Sequence, residues 1–462
     1  MSPADESTLL RDLLRATADH AADYLEGVDE RPVKAAQSYE EILTALDRPV
    51  PDDAEDPRAV LDALVAGATP GITGMNHPRF FGFVIGGALP AALAADWMVS
   101  AWDQNAGLAL PTPAVAAIEE IAGRWLVDIL GLPRDASFGL VTGCQMAHAT
   151  CLAAARHAVL RDAGWDVETG GLQGAPRIRV VAGAERHATV DRALRLLGLG
   201  TDCIEPVAVD DAGAMRADAL AEMLAGAQGP LIVCAQAGNV NTGAIDPLAD
   251  VAEIARRAGA WLHVDGAFGL WAAASPRHRG SVAGIERADS WATDAHKWLN
   301  VPYDCGVAIV ADSAAHRGAM SVTASYLEQT AGPDALREPV DWTPEFSRRA
   351  RGVPVYAALC SLGRDGVAEL VDRLCACAWR FAATLDEDDR VEVLATGLNQ
   401  TLLGFAEGVD VDAVTAALAA EGTCLMTATT WRGRRCLRVS VCNWKTTFAD
   451  VDRAVGALRS VV

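Results

Sequence analysis

The chain has 462 residues, 51% of them apolar, with 39 basic against 61 acidic side chains and a formal net charge of -22. That length accommodates roughly two to four domain-sized units, and the apolar content is enough to bury a large core, which argues against a disordered chain. A field of this sign repels phosphate backbones and anionic lipids, so nucleic acid and membrane surfaces are excluded as favoured partners. The acidic start, Met1-Ser2-Pro3-Ala4-Asp5-Glu6, lacks the basic region and apolar run of a signal peptide. The apolar stretch 89–95 is interrupted by Asp96 before it could span a bilayer, and a cytoplasmic protein is expected. Eleven cysteines are scattered through apolar segments without a C-x-x-C pair; they are expected to be reduced, buried and free of metal.

In chain order, Leu9, Leu10, Leu13 and Leu14, then Ile42, Leu43 and Leu46, recur at helical spacing and predict a helical segment over 1–70. Pro49, Pro51 and Pro57 break it. A helix is predicted over 114–130, ending near Gly131 and Pro133. The run Phe138-Gly139-Leu140-Val141 turns through Gly143 into a helical pattern at 147–156. Short apolar runs at 180–181, 231–234, 262–264 and 307–310 read as buried strands with helical patterns between several of them. That alternation predicts an α/β layer with a largely parallel sheet over 71–335. A polar segment at 323–351, a helix at 367–385 and shorter strands and helices predict a smaller α+β domain over 336–462.

Lys34, Lys297 and Lys445 are the only lysines in a chain that otherwise writes its cations as arginine. A lysine in the nearly uncharged stretch Trp291-Ala292-Thr293-Asp294-Ala295-His296-Lys297-Trp298-Leu299 is either a snorkelling or salt-bridged cation, or an amine kept because Schiff-base chemistry needs a group that can lose its proton. Upstream, the apolar strand Trp261-Leu262-His263-Val264 ends in Asp265. A buried carboxylate there needs a partner, either a salt bridge, the cap of a following helix or a protonated ring nitrogen. Gly143-Cys144-Gln145 opens a helix whose free N–H groups suit a phosphate, although Thr-Gly before a helix is also ordinary capping chemistry. His187 opens another helical pattern, where it can cover a flat ring or simply cap. Gly238-Asn239-Val240-Asn241-Thr242-Gly243 is a polar loop after a strand. Several strand ends delivering polar groups to one face make a ligand crevice.

In these motifs the chain resembles the group II pyridoxal 5′-phosphate (PLP)-dependent decarboxylases, which include the aromatic amino-acid, histidine and glutamate decarboxylases. The resemblance lies in His263-Val264-Asp265-Gly266-Ala267-Phe268-Gly269 followed by Asp294-Ala295-His296-Lys297-Trp298, and runs from Asn76-His77-Pro78-Arg79-Phe80-Phe81 to Asn443-Trp444. It implies a fold-type-I, aspartate-aminotransferase-like architecture and a homodimer with shared active sites. It implies that Lys297 carries PLP, that Asp265 pairs with the pyridine nitrogen, that His187 stacks on the ring and that Ala267 packs under it. It further implies that Gly143, Cys144, Gln145 and His296 surround the phosphate and that Asn239 lies near the ring hydroxyl. Two departures stand out. Asp294 replaces the asparagine frequent in relatives, so its carboxylate is expected to point away or to be hydrogen-bonded. Pro339 falls where the aromatic decarboxylases have a catalytic tyrosine, and Tyr326 either replaces that phenol or merely packs.

Decarboxylation is therefore the expected reaction, with aldehyde-forming oxidative deamination, another lyase or aminotransferase reaction, or a non-catalytic binding role as the alternatives. Phe80, Phe81 and Phe83, with Trp102, either line an apolar pocket or belong to the core. An aromatic or bulky apolar L-amino acid is the expected substrate.

Overall fold

The structure, a computed structural model, describes residues 3–321 and 336–462. Its main sheet contains β1 (Ser137–Val141), β2 (Arg179–Gly183), β3 (Ile204–Val207), β4 (Leu231–Gln236), β5 (Trp261–Asp265), β6 (Ser290–Asp294) and β7 (Gly306–Val310), in the order β1-β7-β6-β5-β4-β2-β3. The five strands β2 to β6 are mutually parallel, and β7 runs antiparallel between β1 and β6. The apolar runs are near-continuous because both faces are covered. Ile232, Cys234 and Ala292 join one apolar cluster with the helix Cys144–Asp162. Val233, Ala235, Leu262, Val264 and Trp291 join the cluster on the other face, as alternation along a strand requires. Since β2 to β6 run one way, Gly183, Gln236, Asp265 and Asp294 all reach the same edge.

The C-terminal part holds an antiparallel sheet of β8 (Val391–Gly397), β9 (Gln400–Phe405), β10 (Thr427–Trp431) and β11 (Arg434–Ser440), in the order β10-β11-β9-β8. The helix expected from 367 instead spans Gly352–Leu385, broken at Gly363, whose φ of 61° is a left-handed value. Val355, Ala358 and Leu359 give its first part a buried face that the polar surroundings obscured. The 79–81 segment, expected with the large domain, is bonded to the C-terminal part: Phe81 N–H donates to Leu425 O at 2.8 Å, Ser440 N–H donates to Phe81 O at 2.9 Å, and Arg79 pairs with Asp450 at 3.1 Å.

The N-terminal helices are Pro3–Glu26, Tyr39–Leu46 and Pro57–Ala68. The second and third bury no residue, and Leu9, Leu10 and Leu14 on the first are more than half exposed. No helix among the described residues is long and apolar enough to cross a membrane. Ten cysteines are buried, but Cys360 is exposed, against expectation, on the outer face of the helix Gly352–Leu385.

Candidate active site

β6 ends in Asp294, and the chain turns through Ala295 and His296 to Lys297. The turn is close-packed: a Cβ at Gly86 would stand 2.3 Å from Lys297 O, so only glycine lets that segment pass. Lys297 Nζ lies 3.2 Å from Asp294 Oδ2. Burial alone would lower the lysine's pKa; the Asp294 carboxylate, with Cys144 and Asp265 adding to it, reverses this and raises it. Asp294 Oδ1 also accepts the Cys144 N–H at 2.6 Å and lies 3.4 Å from His296 Nε2. The unusual carboxylate is thus hydrogen-bonded, and it sits at the start of the helix Cys144–Asp162.

That helix start presents free donors at the strand edge. Gly143 is its N-cap, and a Cβ there would press against His296 Cε1 at 3.3 Å. Both the amide nitrogen and the amide oxygen of Gln145 are buried without a hydrogen-bond partner, which in a native site calls for a ligand or water. His296 Nδ1 accepts the Cys305 N–H at 3.1 Å, so its proton belongs on Nε2, facing Asp294. The His296 ring stacks on Tyr303 with centroids 4.3 Å apart.

On the neighbouring strand, Asp265 accepts the Ala267 N–H at 3.1 Å, and its Oδ2 lies 3.5 Å from His148 Nε2. Burial works against its ionisation. The adjacent His148 imidazole with its N–H, then His187 and the Ala267 N–H, outweigh that and hold the carboxyl well below the usual range. His187 caps the helix Ala188–Leu196, with Nδ1 accepting from the Thr189 backbone N–H at 3.4 Å and lying 2.7 Å from its hydroxyl. Its pKa is lowered by desolvation chiefly, with Asp265 opposing and Lys297 assisting. Lys297, Asp265, Ala267, His187, His296 and the Gly143–Gln145 turn therefore gather at one sheet edge.

Other expected residues fall elsewhere. Asn239 is 1% exposed, and its amide is occupied in holding its own loop: the oxygen accepts the Asn241 and Thr242 N–H groups, and the nitrogen donates to Glu185 O. It braces two loops in this way. Phe81 is completely buried, edge-on to Phe381 at 4.9 Å, so it is core and not pocket wall. Phe83 is 61% exposed at a left-handed φ of 56°, three residues before the glycine that passes Lys297. Trp102 ends the helix Pro90–Trp102, half-exposed. Pro339 is buried at the start of a 3-10 turn tied to Gly107 by the Val340 N–H. Tyr326 lies outside the described residues.

Three residues escaped the sequence reading. His148 looked like one polar position in an apolar helix. Tyr303 stood outside the lysine motif by sequence but stacks on its histidine. Arg438, in β11, is buried and donates to Val240 O at 3.3 Å, with no carboxylate among the described residues within ion-pair distance; only a fold brings it 198 positions back to the Asn239 loop.

The chain is similar to known proteins in sequence and fold. The pyridoxal-dependent decarboxylase conserved domain matches residues 40–406. Tryptophan decarboxylase 1 of Oryza sativa subsp. japonica is 30% identical over 408 residues, 83% of this chain and 78% of that protein. Phenylacetaldehyde synthase of Arabidopsis thaliana is 26% identical over 408 residues, 85% and 81% of the two chains. The crystal structure of Oryza sativa TDC with PLP and tryptamine superposes with a TM-score of 0.90 at 26% identity, covering 100% of this chain and 99% of that one. With the carboxylate-ended strand, the glycine-capped helix start and the lysine turn on one edge of a fold-type-I sheet, the chain belongs to the pyridoxal-dependent decarboxylases, enzymes that use PLP to remove CO2 from amino acids.

Proposed function

We propose that the chain decarboxylates an aromatic or bulky apolar L-amino acid, with Lys297 carrying PLP. The observation that carries this reading is the convergence of Lys297, Asp265 and the Gly143–Gln145 helix start at one strand edge. The residues fit the cofactor: the orphaned Gln145 amide would hold its phosphate, joined by the Cys144 N–H and the proton on His296 Nε2 once Asp294, which now faces both, gives way to it. Asp265 would hold the proton on its ring nitrogen, Ala267 would lie under the ring and His187 over it. Bound PLP supplies the electron sink for the carbon that loses CO2. Arg438 is a buried cation lacking a carboxylate partner among the described residues, and a substrate carboxylate would neutralise it. Phe83 and Trp102, exposed aromatic side chains, would offer the substrate apolar surface, in keeping with the tryptophan decarboxylase named above.

Tyr326 would return a proton to the substrate carbon. The other phenol near the lysine turn, Tyr303, is a poor acid, its pKa pushed up to about 12 chiefly by desolvation. The exposed leucines of the N-terminal helix support a homodimer in which a second copy covers them, and eleven unpaired thiols suit the cytoplasm.

An amino-acid panel scored for CO2 and amine tests this reading; amine in stoichiometry with CO2 from aromatic substrates supports it, and keto-acid without CO2 contradicts it. Tyr326→Phe should lower kcat on the order of 10²-fold and raise peroxide output, with Tyr303→Phe leaving both within a few-fold of wild type. The second reading, aldehyde formation, draws on Pro339 and on the relative named phenylacetaldehyde synthase. Oxygen consumption matching CO2 release in the wild type would establish it instead.

A further inference from the structure

A line of buried polar side chains runs away from Asp265 into the core, where the reaction has no evident use for them. His148 Nδ1 and His263 Nε2 are 2.9 Å apart, His263 Nδ1 and Ser290 Oγ are 2.9 Å apart, and the Trp261 indole N–H donates to Ser290 Oγ at 2.9 Å. His148, His263 and Ser290 are fully buried and Trp261 is 8% exposed. The line begins in β5 and β6 and crosses to the helix Cys144–Asp162, so three elements must pack correctly to form it.

The chemistry of the far end sets the direction of every link. An indole N–H only donates, so the Ser290 oxygen accepts from Trp261. The serine proton then has one acceptor among the described residues, His263 Nδ1; reversing that link would leave a hydroxyl hydrogen unpaired in a dry site, which is costly. With Nδ1 accepting, His263 carries its proton on Nε2 and donates to His148 Nδ1. His148 in turn must carry its proton on Nε2, the atom 3.5 Å from Asp265 and 3.4 Å from Cys144 Sγ. The excluded tautomer would turn a lone pair on the carboxylate.

We propose that Trp261, Ser290, His263 and His148 form a one-way hydrogen-bond chain that keeps an N–H aimed at Asp265 and so positions this carboxylate, in its ionised form, for the cofactor's ring nitrogen. The proposal rests on the role given to Asp265 above. The other groups facing that carboxylate are His187, Cys144, Cys234, Asp246 and Lys297. Among the described residues no side-chain hydrogen bond joins any of them to Ser290 or Trp261, so the side-chain hydrogen bonds that join Ser290 to Asp265 run through the two histidines. His148 and His263 meet edge to face, with centroids 5.2 Å apart, so a phenyl ring at 263 retains the packing while removing both links.

The test compares PLP-bound Ser290→Ala, Ser290→Thr, His263→Phe and Asp265→Asn with wild type. The readouts are the pH titration of the cofactor's visible absorption, the Kd for PLP, and kcat and KM separately. Ser290→Ala and His263→Phe should move the absorption titration by about tenfold in proton affinity and weaken PLP by about the same factor. They should lower kcat with KM little changed, and Ser290→Thr, which keeps the hydroxyl, should restore wild-type behaviour. If Ser290→Ala folds and titrates as wild type while Asp265→Asn does not, the chain is packing alone and the proposal fails with the site assignment intact. If Asp265→Asn also titrates as wild type, the role of Asp265 fails and the proposal with it. A His263→Phe protein that does not fold leaves the decision to Ser290→Ala, the smaller change.

Discussion

β5 and β6 are parallel neighbours, and each ends in a buried aspartate at the same edge of the sheet. Asp265 faces an imidazole N–H and a backbone N–H, with nothing anionic required of its surroundings. Asp294 takes the first N–H of the helix Cys144–Asp162 and pairs with Lys297, the two groups that the proposed function assigns to PLP. On the proposed reading, one strand end would offer a negative charge to the cofactor's ring, while the other would set a negative charge against its phosphate. Residue type and depth do not decide what a buried carboxylate does; the donors brought to it do.

The largest effect should come from the β5 end. Asp265→Asn removes the charge that would keep the ring nitrogen protonated and is expected to lower kcat on the order of 10³-fold, measured as CO2 release at saturating substrate. A loss of a few-fold would mean that the two strand ends are less different than their donors suggest. A change at the β6 end should act the other way. Asp294→Asn preserves a polar side chain at the helix start, removes a like charge from beside the phosphate and frees Lys297 from its ion pair. It should tighten PLP binding by about tenfold, read by fluorescence titration; weaker binding would show that Asp294 serves the cofactor.

Asp246 sharpens the comparison through stability. It accepts the Met215 and Gln236 N–H groups at 2.7 Å each but forms no ion pair among the described residues, and burial, reinforced by Asp210 and Asp265, pushes its pKa up to about 6. A folded value above the unfolded one, near ~4, means that the associated stability is complete below pH ~4 and is lost as pH rises through about 6. The loss is on the order of 3 kcal/mol. Asp246→Asn should be less stable overall, since one N–H loses its acceptor, but its Tm should lack this decline; an unchanged pH dependence would assign the decline to other groups.

Lys297 and Asp265 were legible in the sequence for local reasons: a lone lysine among arginines, and an apolar strand closed by a charge. The parallel sheet was legible from its doubly buried runs. β3 and β6 were missed because Pro206 and the polar Ser290, Thr293 and Asp294 interrupt the apolar pattern, although β6 is buried at every position. His148 and Arg438 were illegible because their partners lie 115 and 198 residues away, and only packing defines those pairs. Phe81 could be read from the sequence as pocket wall or core, and its contact with Phe381 decides for core. His263 carried a signal that could have been used: a histidine on an alternating apolar strand, two residues before a functional carboxylate, must be bonded to something.

The central claim is that Lys297 carries the cofactor, and three lysines in the chain make it directly measurable. The purified protein is incubated with PLP, reduced with borohydride, digested and mapped by mass spectrometry. The account predicts the phosphopyridoxyl mass on the peptide containing Lys297 and none on those containing Lys34 or Lys445. Label on either of the latter, or none at all in a protein that turns over substrate, would contradict it.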